Sequence, residues 1–448
     1  MTDTLLSDDM LGSLADRADV PADEVIAALL TELGEDAQAP DPTQRSAAYR
    51  HLLGEIWRDD ENALGVVSRF LTGGEELDES IDTNQVRHAQ EFFEEHGVAI
   101  ITTLFFASLP EAYLGRRGVQ VLDMTGELVS NWTQRIRETG QFLINVLTPS
   151  PELARTERTS LAHGESAARA VRRVRLTHSA VRRLAKAPYQ PEHGRLFVAD
   201  FVHPPSLWDV RMARIGEETD EGVTSEPLNQ EDLLATLGTF TTVTFEALEK
   251  LGISFDDDDK RAFYHLWNVV GWHLGIGDAT TLADSATGKK DSWPDNRIFP
   301  LEVQEMDELF NRLRRRLQGP TEQGRRLAAT LVQDMSYPLP GPIQGGPAFV
   351  IRYLIGDHHA DELEIEAGGY AELLIRRTRA LERLARRTRT SLLGQLTLLA
   401  MGQALTRYAL RAFQSPARGK EPGITIEPRI AGRWGIQTPP EADELLRS

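Results

Sequence analysis

The chain has 448 residues, a net charge of −19 and a pI near 5.1, with 41% apolar residues and no cysteine. The acidity excludes the basic footprint that non-specific nucleic-acid binding requires. The missing thiols exclude disulfides, zinc-thiolate and iron–sulfur centres, c-type haem attachment and thiolate-ligated haem, so any metal must be held by His, carboxylate, Lys, Tyr or Met.

The first residues, MTDTLLSDD, are acidic and carry no basic segment followed by an apolar run, so neither a secretory nor a twin-arginine signal is read. No stretch approaches roughly 18 consecutive apolar residues. The most apolar segment, Gly97 to Leu109, is interrupted by Thr102 and Thr103. No transmembrane segment and a cytoplasmic location are expected.

Residues 4–33 predict two short amphipathic helices broken around Val20-Pro21, the second opened by Pro21 and acidic residues in its first turn. A loop with Pro40 and Pro42 follows, and then a succession of helical patterns. Helices are predicted over Asn84–Phe106, Asn131–Leu147, Gly164–Ala185, Asn229–Leu251, Lys260–Leu274, Leu301–Leu317, Thr321–Asp334 and Tyr370–Phe413. The connection from Pro188 to Pro205 could hold a local strand at Leu196–Val198. Asp256 to Asp259 precede a helix and read as capping rather than as a metal site. The expected division is an N-terminal helical extension over 1–40, one main domain over 45–415 and a C-terminal tail over 416–448. The fold class is all-α.

The helix from Gly164 to Ala185 is the most informative. Val171, Val174, His178, Val181 and Ala185 fall on one face, so His178 sits in the middle of an apolar stripe. Periodicity leaves two readings of it, a hydrogen-bonded core histidine or a metal ligand. Arg169, Arg172, Arg173, Arg182 and Arg183 occupy the other faces, either solvated or available to anions such as haem propionates. In Asn131–Leu147, Arg135 and Thr139 share a face with Phe142 and Val146. Such polar groups on an apolar face need partners: a salt bridge to Glu127 or Glu138 with a Thr-to-backbone bond, or a bound polar group.

Several segments, in one order over about residues 85 to 360, resemble the latex-clearing-protein/MpaB-type oxygenases. They are Ser108-Leu109-Pro110-Glu111-Ala112-Tyr113 with Gly118 to Leu122, Arg135-x-x-x-Thr139, and Val174 to Arg182 around His178. Asn229 to Leu234 with Thr236 and Phe240, Trp267 to Gly275, and Pro347 to Gly356 complete the set. The resemblance implies a globin-like helical core with additional helices, holding non-covalent haem b. It implies His178 as the proximal iron ligand, Arg135 and Thr139 as haem-binding and catalytic residues, and O₂ as co-substrate. The implied chemistry is oxidative cleavage of a C=C bond in an isoprenoid or unsaturated lipid. One departure stands out: latex-clearing proteins can carry a lysine just before the matching threonine, and here that position is Glu138, either a base or a solvent-facing partner of Arg135 or Arg137. The unread secretion signal favours a small apolar substrate over a polymer.

Two other readings compete. A non-catalytic interaction or haem-binding protein would use the arginine-studded helix from Tyr370, and a metal-dependent hydrolase would use Asp357-His358-His359. No GxxxxGK[ST], HExxH or GxSxG motif occurs, and Gly271 to Gly277 reads as the end of a helix.

Overall fold

The computed structural model describes residues 8–39, 41–73, 81–124, 132–149, 159–162, 165–188, 205–219, 225–277, 302–336, 344–366, 426 and 428–435. Among these residues the regular structure is helical throughout, with two isolated bridges, Gly115 to Gln318 and Pro188 to Ser206, in place of any sheet. The all-α expectation therefore holds. The strand suggested at Leu196–Val198 and the helix predicted over Tyr370–Phe413 lie outside the described residues.

Four helices open the chain: α1 (Asp8–Ala15), α2 (Val20–Leu33), α3 (Pro42–Ile56) and α4 (Gly65–Thr72). They are followed by α5 (Thr83–Thr103), which runs through a π-helical segment (Leu104–Ser108) into α6 (Leu109–Tyr113), and then by α7 (Gly118–Met124). Next come α8 (Trp132–Leu147), α9 (Ser166–Ala185), α10 (Leu207–Thr219), α11 (Gln230–Phe240), α12 (Thr242–Lys250) and α13 (Asp257–His273). The last are α14 (Val303–Leu317), α15 (Glu322–Ser336), α16 (Gly346–Ile355), α17 (Asp357–Glu362) and α18 (Pro428–Arg433).

The run from Thr83 to Tyr113 is long and apolar enough to cross a bilayer by composition, yet 83% of its most apolar window is buried inside the protein. It is the central core helix. Phe93, Phe105 and Phe106 from it share one buried cluster with Phe263, Tyr264 and Trp267 of α13, each essentially without solvent exposure. Burying side chains of this size stabilises by about 1.5–3 kcal/mol each. The starts of both helices are fixed locally. Asp82 accepts from the backbone N–H groups of Asn84 and Gln85, at 3.0 and 3.2 Å, while its own N–H donates to His265 Nε2 on α13 at 3.1 Å. Asp256 and Asp259 form a reciprocal capping box on α13, the role the sequence assigned to that acidic run.

The helix predicted over Asn229–Leu251 is broken. Thr241, at φ −104° and ψ −82°, separates α11 from α12, and its hydroxyl bonds back to Leu237 O at 3.1 Å. Thr239 and Thr241 donate their hydroxyls to the helix carbonyls of Thr236 and Leu237, and Thr242 donates to Asp307; competition for the helix's own acceptors weakens a continuous helix there.

Close crossings need glycine in α11. A Cβ built on Gly238 would overlap the Phe310 ring of α14. Gly238→Ala is expected to cost about 1–3 kcal/mol of stability in urea unfolding. Gly54→Ala in α3, where nothing lies within 4 Å of the added carbon, is expected to be neutral or slightly stabilising.

Beside the main core lies a second cluster. Ile26, Leu29, Leu52, Ile56, Val67 and Leu71 from α2–α4 pack with Leu176, Ala180 and Val181 of α9 and Trp208 and Met212 of α10. Val171 and Ala167 of the same α9 belong to the main core. That helix therefore joins the two.

Candidate functional site

α9 contacts α2, α3 and α4 on one side and α8 and α13 on the other. Along the predicted stripe Val171, Val181 and Ala185 are buried at 0%, 8% and 1% exposure, whereas Val174 and His178 are half-buried. The stripe is thus less covered in its middle, at Val174 and His178, than at its ends. His178 Nδ1 is itself shielded from solvent. Both of its chain neighbours are tied to the N-terminal helices. Thr177 Oγ1 accepts from Trp57 Nε1 at 3.2 Å and donates to Arg173 O at 2.9 Å. Ser179 Oγ donates to Asp23 Oδ1 at 2.5 Å. The backbone that carries His178 is held on both sides.

Of the five arginines that the sequence places on the outer faces of α9, Arg172, Arg173 and Arg182 are buried, while Arg169 and Arg183 are half-buried. Arg172, Arg173, Arg175 and Arg182 are 2–7% exposed. For Arg172, Arg173 and Arg182 this corrects the reading from sequence, and the reason is the N-terminal segment packed over them. Arg175 makes a bidentate pair with Asp19, Nε to Oδ2 at 2.7 Å and Nη2 to Oδ1 at 2.8 Å. Arg182 donates to Asp23 Oδ1 at 2.5 Å and to the carbonyls of Pro227 and Leu228 at 3.1 and 3.2 Å. Burial raises the Asp23 carboxyl above its usual range, against the pull of Arg182 and of the Ser179 hydrogen bond. Arg173 reaches Asp60 and Ile56 O, and Arg172 reaches Phe70 O at 3.0 Å and His273 Nδ1 at 3.3 Å. His273, 1% exposed, then donates from Nε2 to Leu161 O at 2.9 Å, so both ring nitrogens serve packing.

A turn of glycines completes this region. Gly275 lies at φ +83°, and a Cβ there would sit 2.5 Å from Arg175 Nε and 2.6 Å from Asp19 Oδ2. Only glycine meets both conditions. Gln230, fully buried, staples the turn by donating to Gly275 O at 3.1 Å and accepting from Gly277 N at 3.0 Å.

The other sequence-derived site residues lie on α8, which packs against α9. Thr139 is half-buried; the side chains of Arg135 and Glu138 lie outside the described residues. The structure thus brings the helix of Arg135, Glu138 and Thr139 onto the helix of His178. Asp357 does not join His358 and His359, because it pairs with Arg352 at 3.0 Å.

Asn229 to Leu234, part of the family resemblance, has a structural role that spacing does not reveal. All four leading polar residues are buried, Asn229, Gln230 and Glu231 completely. Asn229 caps α11 by accepting from Asp232 N at 2.9 Å. Glu231 takes Arg117 at 2.6 Å and Arg316 at 2.9 Å, and Asp232 shares Arg117 at 3.0 Å. Burial first, and Glu231 beside it, raise the Asp232 carboxyl, while Arg117 opposes. The signal available in sequence was a helix start carrying two acids just where an apolar face begins.

The donor set around α9 fits a haem. It offers an imidazole on a partly uncovered apolar stripe, a fixed backbone beneath it and a neighbouring helix on which Thr139 is half-buried.

In fold the chain is similar to a solved structure of latex clearing protein in the closed state, with a TM-score of 0.57 at 16% identity over 92% of this chain and 95% of that one. The shared architecture is an all-helical fold. A family model described as ER-bound oxygenase mpaB/B'/rubber oxygenase, catalytic domain, matches residues 100–390, and the chain belongs to that family. No curated protein matches the sequence.

Proposed function

We propose that this chain is a haem b-dependent oxygenase that uses O₂ to cleave a C=C bond in a small isoprenoid or unsaturated lipid. The observation that carries the reading is His178, a half-buried imidazole in the middle of an apolar stripe whose Val171, Val181 and Ala185 are buried. Its Nδ1 faces the protein interior, an arrangement in which a ligating histidine presents Nε2 to the metal. Bound haem would supply O₂ activation, which no side chain provides.

The chain's own share is ligation, orientation and exclusion of water. His178 would hold the iron, with Thr177 and Ser179 fixing its helix through Trp57 and Asp23. Val171, Val174 and Val181 give the surroundings an apolar character suited to a hydrocarbon chain. Arg135 and Thr139 would bind the propionates or line the opposite face, and Glu138 would stand where a lysine occurs in latex-clearing proteins. A carboxylate there can accept a proton but cannot act as a neutral amine ligand.

A pyridine-haemochrome assay on the purified chain tests this. The wild type is expected to carry about one haem per chain, and His178→Ala to lose most of it while keeping its helical circular dichroism. Haem bound equally by wild type and His178→Ala would remove His178 from the ligand role.

A further inference from the structure

His358 and His359 lie in the short helix α17, and Glu362 follows one turn on. Ligand atoms of these three side chains come within 4.8 Å of one another. The acid nearest in sequence is withdrawn from the group: Asp357 and Asp361 both pair with Arg352, at 3.0 and 2.7 Å. Glu362 takes its place. It is four residues beyond His358 and three beyond His359, so one helical face serves both histidines. Nε2 of His358 already stands 3.9 Å from Glu362 Oε1.

The more buried histidine is set from behind. His359 Nδ1 bonds Oε1 of Glu111 at 3.2 Å, and the Glu111 side chain is only 4% exposed. Glu111 is fixed in turn by Gln318 Nε2 at 2.8 Å and Arg314 Nη2 at 3.3 Å. A carboxylate that holds one imidazole nitrogen fixes the tautomer and ring plane, and leaves the other nitrogen as a ligand. Glu111 belongs to α6, so this support comes from the core helix and not from the surface segment that carries the histidines.

We propose that His358, His359 and Glu362 bind one zinc ion, with Glu111 orienting His359. Two imidazoles and a carboxylate form a borderline donor set that suits zinc and leaves a position for water. Zinc–ligand bonds of about 2.0–2.1 Å put neighbouring ligand atoms of a tetrahedron about 3.4 Å apart. The ligand atoms, now within 4.8 Å of one another, would have to close toward that distance, and the His358 side chain, 84% exposed, has room to move. The ion would tie α17 to α6 through His359 and Glu111. This site is separate from His178 and does not depend on the haem reading.

The test is zinc titration of the full chain after chelator treatment, followed by calorimetry and by competition with a chromogenic zinc indicator. One tight equivalent is expected per chain. His358→Ala and Glu362→Gln should each weaken it at least about tenfold, and Glu111→Gln by about 10–100-fold. His358 is exposed, so its variant leaves the fold intact and serves as the deciding arm. No stoichiometric zinc uptake by the wild type, or unchanged affinity in His358→Ala, overturns the site. Unchanged affinity in a folded Glu111→Gln overturns the orienting role.

Discussion

Asp19→Ala is expected to cost about 3–5 kcal/mol of unfolding free energy, because it leaves the Arg175 guanidinium buried without its counter-charge. The pair is nearly dry, with side chains 8% and 3% exposed, and both bonds are short and parallel. Asp19 also accepts from Ala22 N at 3.4 Å and so caps α2, which adds to the loss. Urea unfolding of Asp19→Ala, Arg175→Met and the double variant makes a thermodynamic cycle. The double variant should recover part of the loss, since apolar replacement of both charges removes the uncompensated one. A single-variant loss below about 1 kcal/mol would show that water or another acid takes over the guanidinium.

The second large effect is expected at Glu231. This carboxylate has no solvent exposure and joins Arg117 to Arg316, linking α11 to the turn before α7 and to the end of α14. Glu231→Ala removes a counter-charge from two arginines but also relieves repulsion on Asp232, whose carboxyl Glu231 helps to raise. The two contributions have opposite signs. The net loss is therefore placed at about 3 kcal/mol, the lower end for breaking a buried pair. Arg117 should then bind Asp232 alone, and the Asp232 carboxyl should titrate lower than in the wild type. Chemical denaturation gives the first quantity and NMR titration of the Asp232 carboxyl the second. An upward move of Asp232 would contradict the described geometry.

The contrast between these pairs and the sequence explains what was legible. Helices with one apolar face announce themselves through spacing, and so does the capping role of Asp256 to Asp259. The stripe through His178 is visible for the same reason. The arginines of α9 misled because charge alone suggests solvent, and their partners are remote. Asp19 and Arg175 are 156 residues apart, and no periodic pattern marks a contact across that distance. The break at Thr241 was hidden because threonine hydroxyls that compete for backbone carbonyls do not interrupt an apolar pattern. The exchange of Asp357 for Glu362 beside the two histidines depended on where Arg352 points, which one-dimensional spacing does not carry.

The packing of α2 and α3 onto α9 also has a consequence in time. Asp23 leaves the ribosome 159 residues before Arg182, and Trp57 does so 120 residues before Thr177. During synthesis the first helices therefore wait with unmatched carboxylates and an uncovered apolar face. Contacts so far apart in sequence form slowly, since a long loop must close first. The N-terminal segment and the histidine helix are expected to complete each other late in folding. On the proposed function, capture of a cofactor by His178 would come after those contacts have formed.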